Sequence, residues 1–379
     1  MKALTVIGAR PQFIKAAAIS RAIRNHFAGR IKEILVHTGQ HYDKEMSAVF
    51  FEQLGIPKED YNLQTGSGSH GVQTAKIIIG LEEIIVKEQP DLVILYGDTN
   101  STLAGAVTAS KCCVPIVHIE AGMRSFTKNM PEEINRIMCD HVSTLLFSPT
   151  LTGVRNLYRE GFPENNKGPW NIDNPKVFHC GDIMYDNSIY FRDIALKESK
   201  VLHVTGVTPG NYSLVTVHRQ NNTDDRGRLK NIFEALAAIA LREQTQFVVP
   251  LHPRTAKVLE TSGGGFQNKP GIKIISPVSY LDMIMLESEA EMVITDSGGV
   301  QKEAYYFHKP CIILQEETAW VELIESQCAM LVDADPQRIE DAFHHFRNVK
   351  NQLLFKPLFG DGAAAEFTVG EIVKCFSKV

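Results

Sequence analysis

The chain has no apolar run near the roughly 20 residues that a membrane span needs. Its longest, such as Leu-Val-Ile-Leu-Tyr at 92–96, are of strand length. A secretory signature is missing as well: the opening MKALTVIGARPQF meets Gly8 and Arg10 early, with no small-residue cleavage site behind it. Cysteine is sparse, seven in 379 residues, and none forms a C-x-x-C pair; this argues against a disulfide framework and against a zinc site. Cys112 and Cys113 are expected to pack as small apolar residues at a strand entrance. Excess charge of one sign is lacking too. Lys and Arg number 39 against 44 Asp and Glu, a formal net charge of -5, so there is no basic field of the kind a non-specific nucleic-acid binder needs. Tandem repeats and low-complexity tails are also missing. The expectation is a soluble, cytoplasmic protein in a reducing compartment, with no metal and with neither nucleic acid nor membrane as partner.

What remains is ordinary globular material, 44% hydrophobic and 22% charged, in a chain longer than one hydrophobic core usually organises. Short runs rich in Val, Ile and Leu alternate with helix-like segments: ALTVIG, EILVHTG, LVILYGD, PIVHIEAG and LLFSPT, then, from about residue 184, SLVTVHR, FVVPLHP, IKIIS, MVITDSGG and CIILQ. Continuous apolar strands between amphipathic helices mark a parallel sheet covered on both faces. The expected fold is α/β, two Rossmann-like doubly wound domains over 1–183 and 184–361, joined after the polar loop REGFPENNKGPWNIDNPK. TSGGGFQNKPG reads as a second loop.

In open parallel sheets, ligands bind beyond the carboxyl ends of the strands, where helix N-termini point free N–H groups outward. After the first strand comes Gly8-Ala9-Arg10-Pro11, a tight turn with Pro at a first helical position. Arg10 and Lys15 then lie near a helix N-terminus, suited to an anion or serving simply as surface cations. Asp98 and Glu120 each follow a buried strand, and carboxylates there are costly unless used or paired; helix capping is the plain alternative for Asp98. Glu132 and Glu133 open a helix, which its dipole alone would explain. The second half offers His218-Arg219, His252-Pro253-Arg254 and Asp296-Ser297-Gly298-Gly299, each after a strand. Strand, Ser-Gly-Gly and helix let backbone amides approach a diphosphate, with Glu303 about one and a half turns on, where it could meet ribose hydroxyls; an ordinary glycine turn is the alternative. Gly66-Ser67-Gly68-Ser69-His70-Gly71 spells G-x-G-x-x-G, but no convincing strand precedes it. It reads as a loop into a helix, so no nicotinamide or flavin cofactor is expected.

Taken together, GARPQFIK, TGQH, YGDTNSTLAG, HIEAGMRS, MPEEINR, TVHRQNN and TDSGGVQKEA resemble, in order and nearly end to end, the non-hydrolysing UDP-N-acetylglucosamine 2-epimerases. The resemblance implies a GT-B fold with a cleft between its domains, residues 362–379 returning to the first domain, a homodimer, and a UDP-sugar substrate handled without a cofactor. The C2 hydrogen of such a sugar is not adjacent to a carbonyl, so the implied route eliminates UDP to give 2-acetamidoglucal and adds it back after protonation from the other face. By the same resemblance Asp98, Glu120, Glu132 and His218 are catalytic, and Arg10, Lys15, His252, Ser297, Gly298, Gly299 and Glu303 bind substrate or UDP. Three departures stand out. Asn221 replaces a glutamate found in many relatives, and Gln40-His41-Tyr42-Asp43-Lys44-Glu45-Met46 lacks the arginine of substrate-activated bacterial enzymes. Trp320-Val321-Glu322 resembles the branch that epimerises UDP-2,3-diacetamido-2,3-dideoxyglucuronate. That substrate, a hydrolysing reaction, glycosyl transfer and nucleotide-sugar sensing without turnover are the alternatives.

Overall fold

The structure, a computed structural model, describes residues 1–40, 55, 57–251, 255–256, 258–259 and 269–376. The apolar runs form two parallel sheets, each within its own compact unit.

In the first unit, β1 (Lys2–Ile7), β2 (Lys32–His37), β3 (Tyr61–Asn62), β4 (Leu92–Tyr96), β5 (Ile116–Ile119), β6 (Leu145–Ser148) and β7 (Lys176–His179) lie in the order β3-β2-β1-β4-β5-β6-β7. Every pairing is parallel. All five residues of β4 are buried, as a strand covered on both faces requires. Helices α1 (Arg10–Ala22), α2 (His70–Glu88), α3 (Asn100–Lys111), α4 (Pro131–His141) and α5 (Leu151–Arg159) follow their strands. Leu4, Val36, Ile77, Leu81, Val93 and Leu95 lie in one core, and burial of each such side chain contributes about 1.5–3 kcal/mol.

The second unit repeats the plan. β8 (Tyr212–Thr216), β9 (Gln246–Pro250), β10 (Ile272–Ile275), β11 (Met292–Thr295), β12 (Cys311–Ile313) and β13 (Ala329–Leu331) lie in the order β10-β9-β8-β11-β12-β13, again all parallel. After α6 (Ile183–Glu198), the labelled helices are α7 (Arg226–Glu243), α8 (Tyr280–Glu289), α9 (Gly298–Tyr306), α10 (Pro336–Val349) and α11 (Ala364–Phe376). Asp225 caps α7 through the amides of Gly227 and Arg228; Asp335, followed by Pro336, caps α10.

The compact units are 1–187 with 357–379, and 188–356, against expected limits of 183/184 and 361/362. Side-chain bonds account for the offset. Asp186 accepts the amides of Ala364 and Ala365, and Asn187 accepts from Arg21, so the first turn of α6 stays with the first unit. Phe359 carbonyl accepts the Asp182 amide at 2.8 Å, which takes the chain after Lys356 there as well. Within that unit α11 packs on α1. Among the described residues no helix is long and apolar enough to cross a membrane. Cys112 caps the end of α3, and Cys113 is exposed with φ 55; the expected burial of this pair fails for Cys113 because the helix ends there. The Gly66–Gly71 segment leads from the two-residue β3 into α2, with Ser69 at the N-cap.

Candidate active site

The strand order of the first unit reverses between β1 and β4, and the turns leaving those strands are stitched together by Gln12. Its Oε1 accepts the amides of Gly8 at 2.8 Å and Ala9 at 3.1 Å. Its Nε2 donates to the carbonyl of Tyr96 at 2.8 Å and to Thr102 at 3.0 Å. Nothing in the sequence alone singles Gln12 out. Lys15, one turn further along α1, reaches Gly97, whose φ is 60; a Cβ added there would lie 3.3 Å from its Nζ. Arg10 is the exposed first residue of α1.

Two ion pairs occupy this point. Lys15 pairs with Glu120, and Arg136 with Asp98. Burial, the strongest influence on Lys15, pulls its pKa down, but Glu120, then Asp98 and Asp182, leave it above its ordinary value. Burial raises the Asp98 carboxyl and the negative Glu120 raises it further; Arg136 and Lys15 oppose them without cancelling them. Glu120 has φ 74, a left-handed conformation that a non-glycine residue keeps only when its surroundings hold it. The capping alternative for Asp98 fails: Thr99 caps α3, accepting from the Thr102 amide.

The motif at 130–136 separates its acids. Glu133 is buried, accepting the amides of Ser125 at 3.0 Å and Phe126 at 2.9 Å and pairing with Arg136 at 2.9 Å. Burial works against its charge, yet those bonds hold its pKa below the usual value. Glu132 is exposed and lines a cavity of about 220 Å³ together with Lys15, Gln40, His70, Asp98 and Asn100. His70, from the G-x-G-x-x-G segment, bonds Asn100 at 3.2 Å. Only folding brings that helix start to this cavity.

The second unit reverses its strand order between β8 and β11. Fully buried Asp296 accepts the amides of His218 and Arg219 at 3.1 and 3.0 Å and the side chain of Asn222 at 3.1 Å. His218 Nδ1 lies 3.2 Å from the same carboxylate, its side chain 59% exposed. Ser297 is the N-cap of α9 and makes no capping bond with its side chain, which leaves the first amides, at Gly298 and Gly299, in the position to receive an anion. Glu303 is buried on α9. Trp320 stands beside this N-terminus: a Cβ on Gly298 would lie 3.5 Å from its Nε1, and Lys302 Nζ lies 4.0 Å from the ring centre. His252 and residues 41–46 lie outside the described residues.

The first site therefore holds two neighbouring carboxylates, each facing a cation, with the pKa of Asp98 raised by burial and by Glu120. The second can hold an anion on backbone amides. A family model described as UDP-N-acetylglucosamine 2-epimerase matches residues 23–373. A Methanococcus maripaludis protein named UDP-N-acetylglucosamine 2-epimerase homolog is 44% identical over 96% of this chain and 96% of its own. The UDP-2,3-diacetamido-2,3-dideoxy-D-glucuronate 2-epimerase of Pseudomonas aeruginosa is 48% identical over 88% of this chain and 89% of its own. The crystal structure of Methanocaldococcus jannaschii UDP-GlcNAc 2-epimerase, in complex with UDP-GlcNAc and UDP, superposes with a TM-score of 0.82 at 38% identity, covering 99% of this chain and 100% of that one.

Proposed function

The chain belongs to the UDP-N-acetylglucosamine 2-epimerase family, and from that premise we propose that it is an isomerase inverting C2 of a UDP-2-acetamido sugar, UDP-N-acetylglucosamine to UDP-N-acetylmannosamine. The observation that carries this reading is the pair Asp98 and Glu120 at the end of adjacent strands, the first with a carboxyl pKa raised by burial and by Glu120 despite its ion pair with Arg136, the second ion-paired with Lys15.

In the proposed reaction Glu120, as the carboxylate, takes the C2 proton. The released electron pair forms the C1=C2 bond of 2-acetamidoglucal as the C1–O bond breaks and UDP leaves as an anion. Asp98 then gives its proton to C2 from the opposite face while a diphosphate oxygen bonds C1 again; running in reverse, the two acids exchange roles. In the first unit Arg10 and Lys15 are assigned to anion binding and Glu132 to assisting proton transfer; in the second, the amides of Gly298 and Gly299 are assigned to phosphate charge, Glu303 to the ribose and His218 to assisting departure. Electrostatic stabilisation and a positioned acid or base are each worth roughly 10² to 10⁴ in rate. Homodimerisation is part of the proposal, and the stripe of exposed Val72, Ile79 and Val86 along α2 supports it. So is a reducing, cytoplasmic setting, with which seven free cysteines agree.

The test is to incubate the protein with UDP-N-acetylglucosamine in deuterated water and follow C2 and the anomeric proton by NMR. UDP-N-acetylmannosamine carrying deuterium at C2 is the expected product. The 48% identity to the diacetamido-glucuronate enzyme and the Trp320-Val321-Glu322 segment favour a second reading, the same inversion on UDP-2,3-diacetamido-2,3-dideoxyglucuronate. If neither sugar exchanges its C2 hydrogen, the reaction class is wrong.

A further inference from the structure

His118 lies in β5, two residues before Glu120, and its ring is fully buried. Nε2 is 2.8 Å from the carbonyl of Gly97, the residue before Asp98, and Nδ1 is 2.6 Å from Oδ1 of Asp140, near the end of α4. A carbonyl only accepts, so Nε2 carries a hydrogen. The second oxygen of Asp140 accepts the Gly122 amide at 3.1 Å and pairs with Arg124 at 2.7 Å. Every partner of that oxygen is a donor, and although burial works against the charge, His118 and the Arg124 guanidinium hold the Asp140 carboxyl below its usual range, so Asp140 stands as a carboxylate and Nδ1 donates as well. Hydrogens on both nitrogens make His118 an imidazolium. Glu160 closes the far side of Arg124 with two bonds of 2.7 Å. Charges thus alternate through four side chains, and pairing of this kind is what lets His118 and Asp140 both be fully buried.

The bonds made by His118 and Asp140 end on segments that carry parts of the first site. The Gly97 carbonyl opens the turn of Asp98, and the Gly122 amide closes the turn of Glu120. Asp140 shares α4 with Glu132 and Arg136. We propose that His118 is a positioning residue: as a buried imidazolium it clamps Gly97 to Asp140 and so sets the separation of Asp98 from Glu120. Burial opposes the charge on the ring most strongly, but Cys139 and Asp140, facing it from α4, hold its pKa well above the ordinary histidine range.

The kinetic consequence rests on the epimerase reading; the protonation state does not. His118→Gln keeps a donor towards Gly97, whereas His118→Asn keeps one towards Asp140 only. In His118→Asn, kcat should fall about 10²-fold with KM within about threefold of wild type, and His118→Gln should recover about tenfold of that loss. Equal losses in the two variants, or a KM that changes as much as kcat, would overturn the clamp. A second measurement needs no variant and no turnover. NMR of the 15N-histidine-labelled wild-type chain should show a buried histidine that stays protonated on both ring nitrogens at pH values well above the ordinary histidine range. Finding only neutral buried imidazoles at neutral pH would refute the proposal even if epimerisation is seen; the converse result would leave it standing if no sugar turns over.

Discussion

Asp98 and Asp296 follow topologically equivalent strands, β4 and β11, each beside the strand where its sheet reverses order. They are engaged in opposite ways. The oxygens of Asp296 accept two backbone amides and an asparagine side chain, so the acid ties the turn after β8 to the turn after β11. Asp98 meets a guanidinium and has a second carboxylate nearby, and its remaining face lines a cavity. The backbones differ in the same sense. Gly97, Glu120 and Gly122 have φ of 60, 74 and 79, whereas none of Asp296–Gly299 has a positive φ. One Rossmann-like plan thus supports a strained, charge-dense turn and a relaxed turn proposed to take an anion, because loops beyond the strand ends can vary without disturbing the sheet.

Removing a carboxylate should break the contrast most severely. Glu120→Gln and Asp98→Asn should each lower kcat by about 10² to 10⁴, while UDP binding measured by calorimetry persists; a loss of UDP affinity equal to the loss of rate would mean that the first site only binds. Next comes the backbone. A Cβ on Gly122 would sit 2.3 Å from the Gly153 carbonyl oxygen, and with its left-handed φ Gly122→Ala should cost at least about 1–3 kcal/mol in chemical denaturation. Gly298→Ala should leave stability unchanged, since a Cβ there meets nothing closer than 3.5 Å, yet raise KM for the UDP-sugar about tenfold by blocking close approach of the diphosphate. An unaltered KM would remove the anion role from this turn. The smallest effect expected is a movement of the pH profile. If Asp98 works in its protonated form, activity falls as pH rises through its pKa. Arg136 holds that pKa down against burial and Glu120, so Arg136→Gln should carry the alkaline limb to higher pH; a limb that stays, or moves down, would show that Asp98 is not the acid.

The clearest limit of sequence reading is the pair Glu132 and Glu133. Neighbouring helical residues point about 100° apart, so one faces a cavity and the other is buried against Ser125 and Phe126, but which is which depends on where the loop before α4 folds back. Gln12 and His118 were equally unmarked, since their partners lie 84 and 21 residues away. The fold class was readable from β4 and its counterparts, because burial on both faces leaves no polar alternation to confuse them with amphipathic helices.

By itself the sequence determined two parallel-sheet units, the polar turns at their strand ends and the family, since each depends on local composition or on motifs in order. Only the tertiary structure decided which of those turns meet. Strand order places β1 beside β4 and β4 beside β5, and that adjacency, set by packing across long stretches of chain, turns isolated acids and cations into paired ones with altered proton affinities.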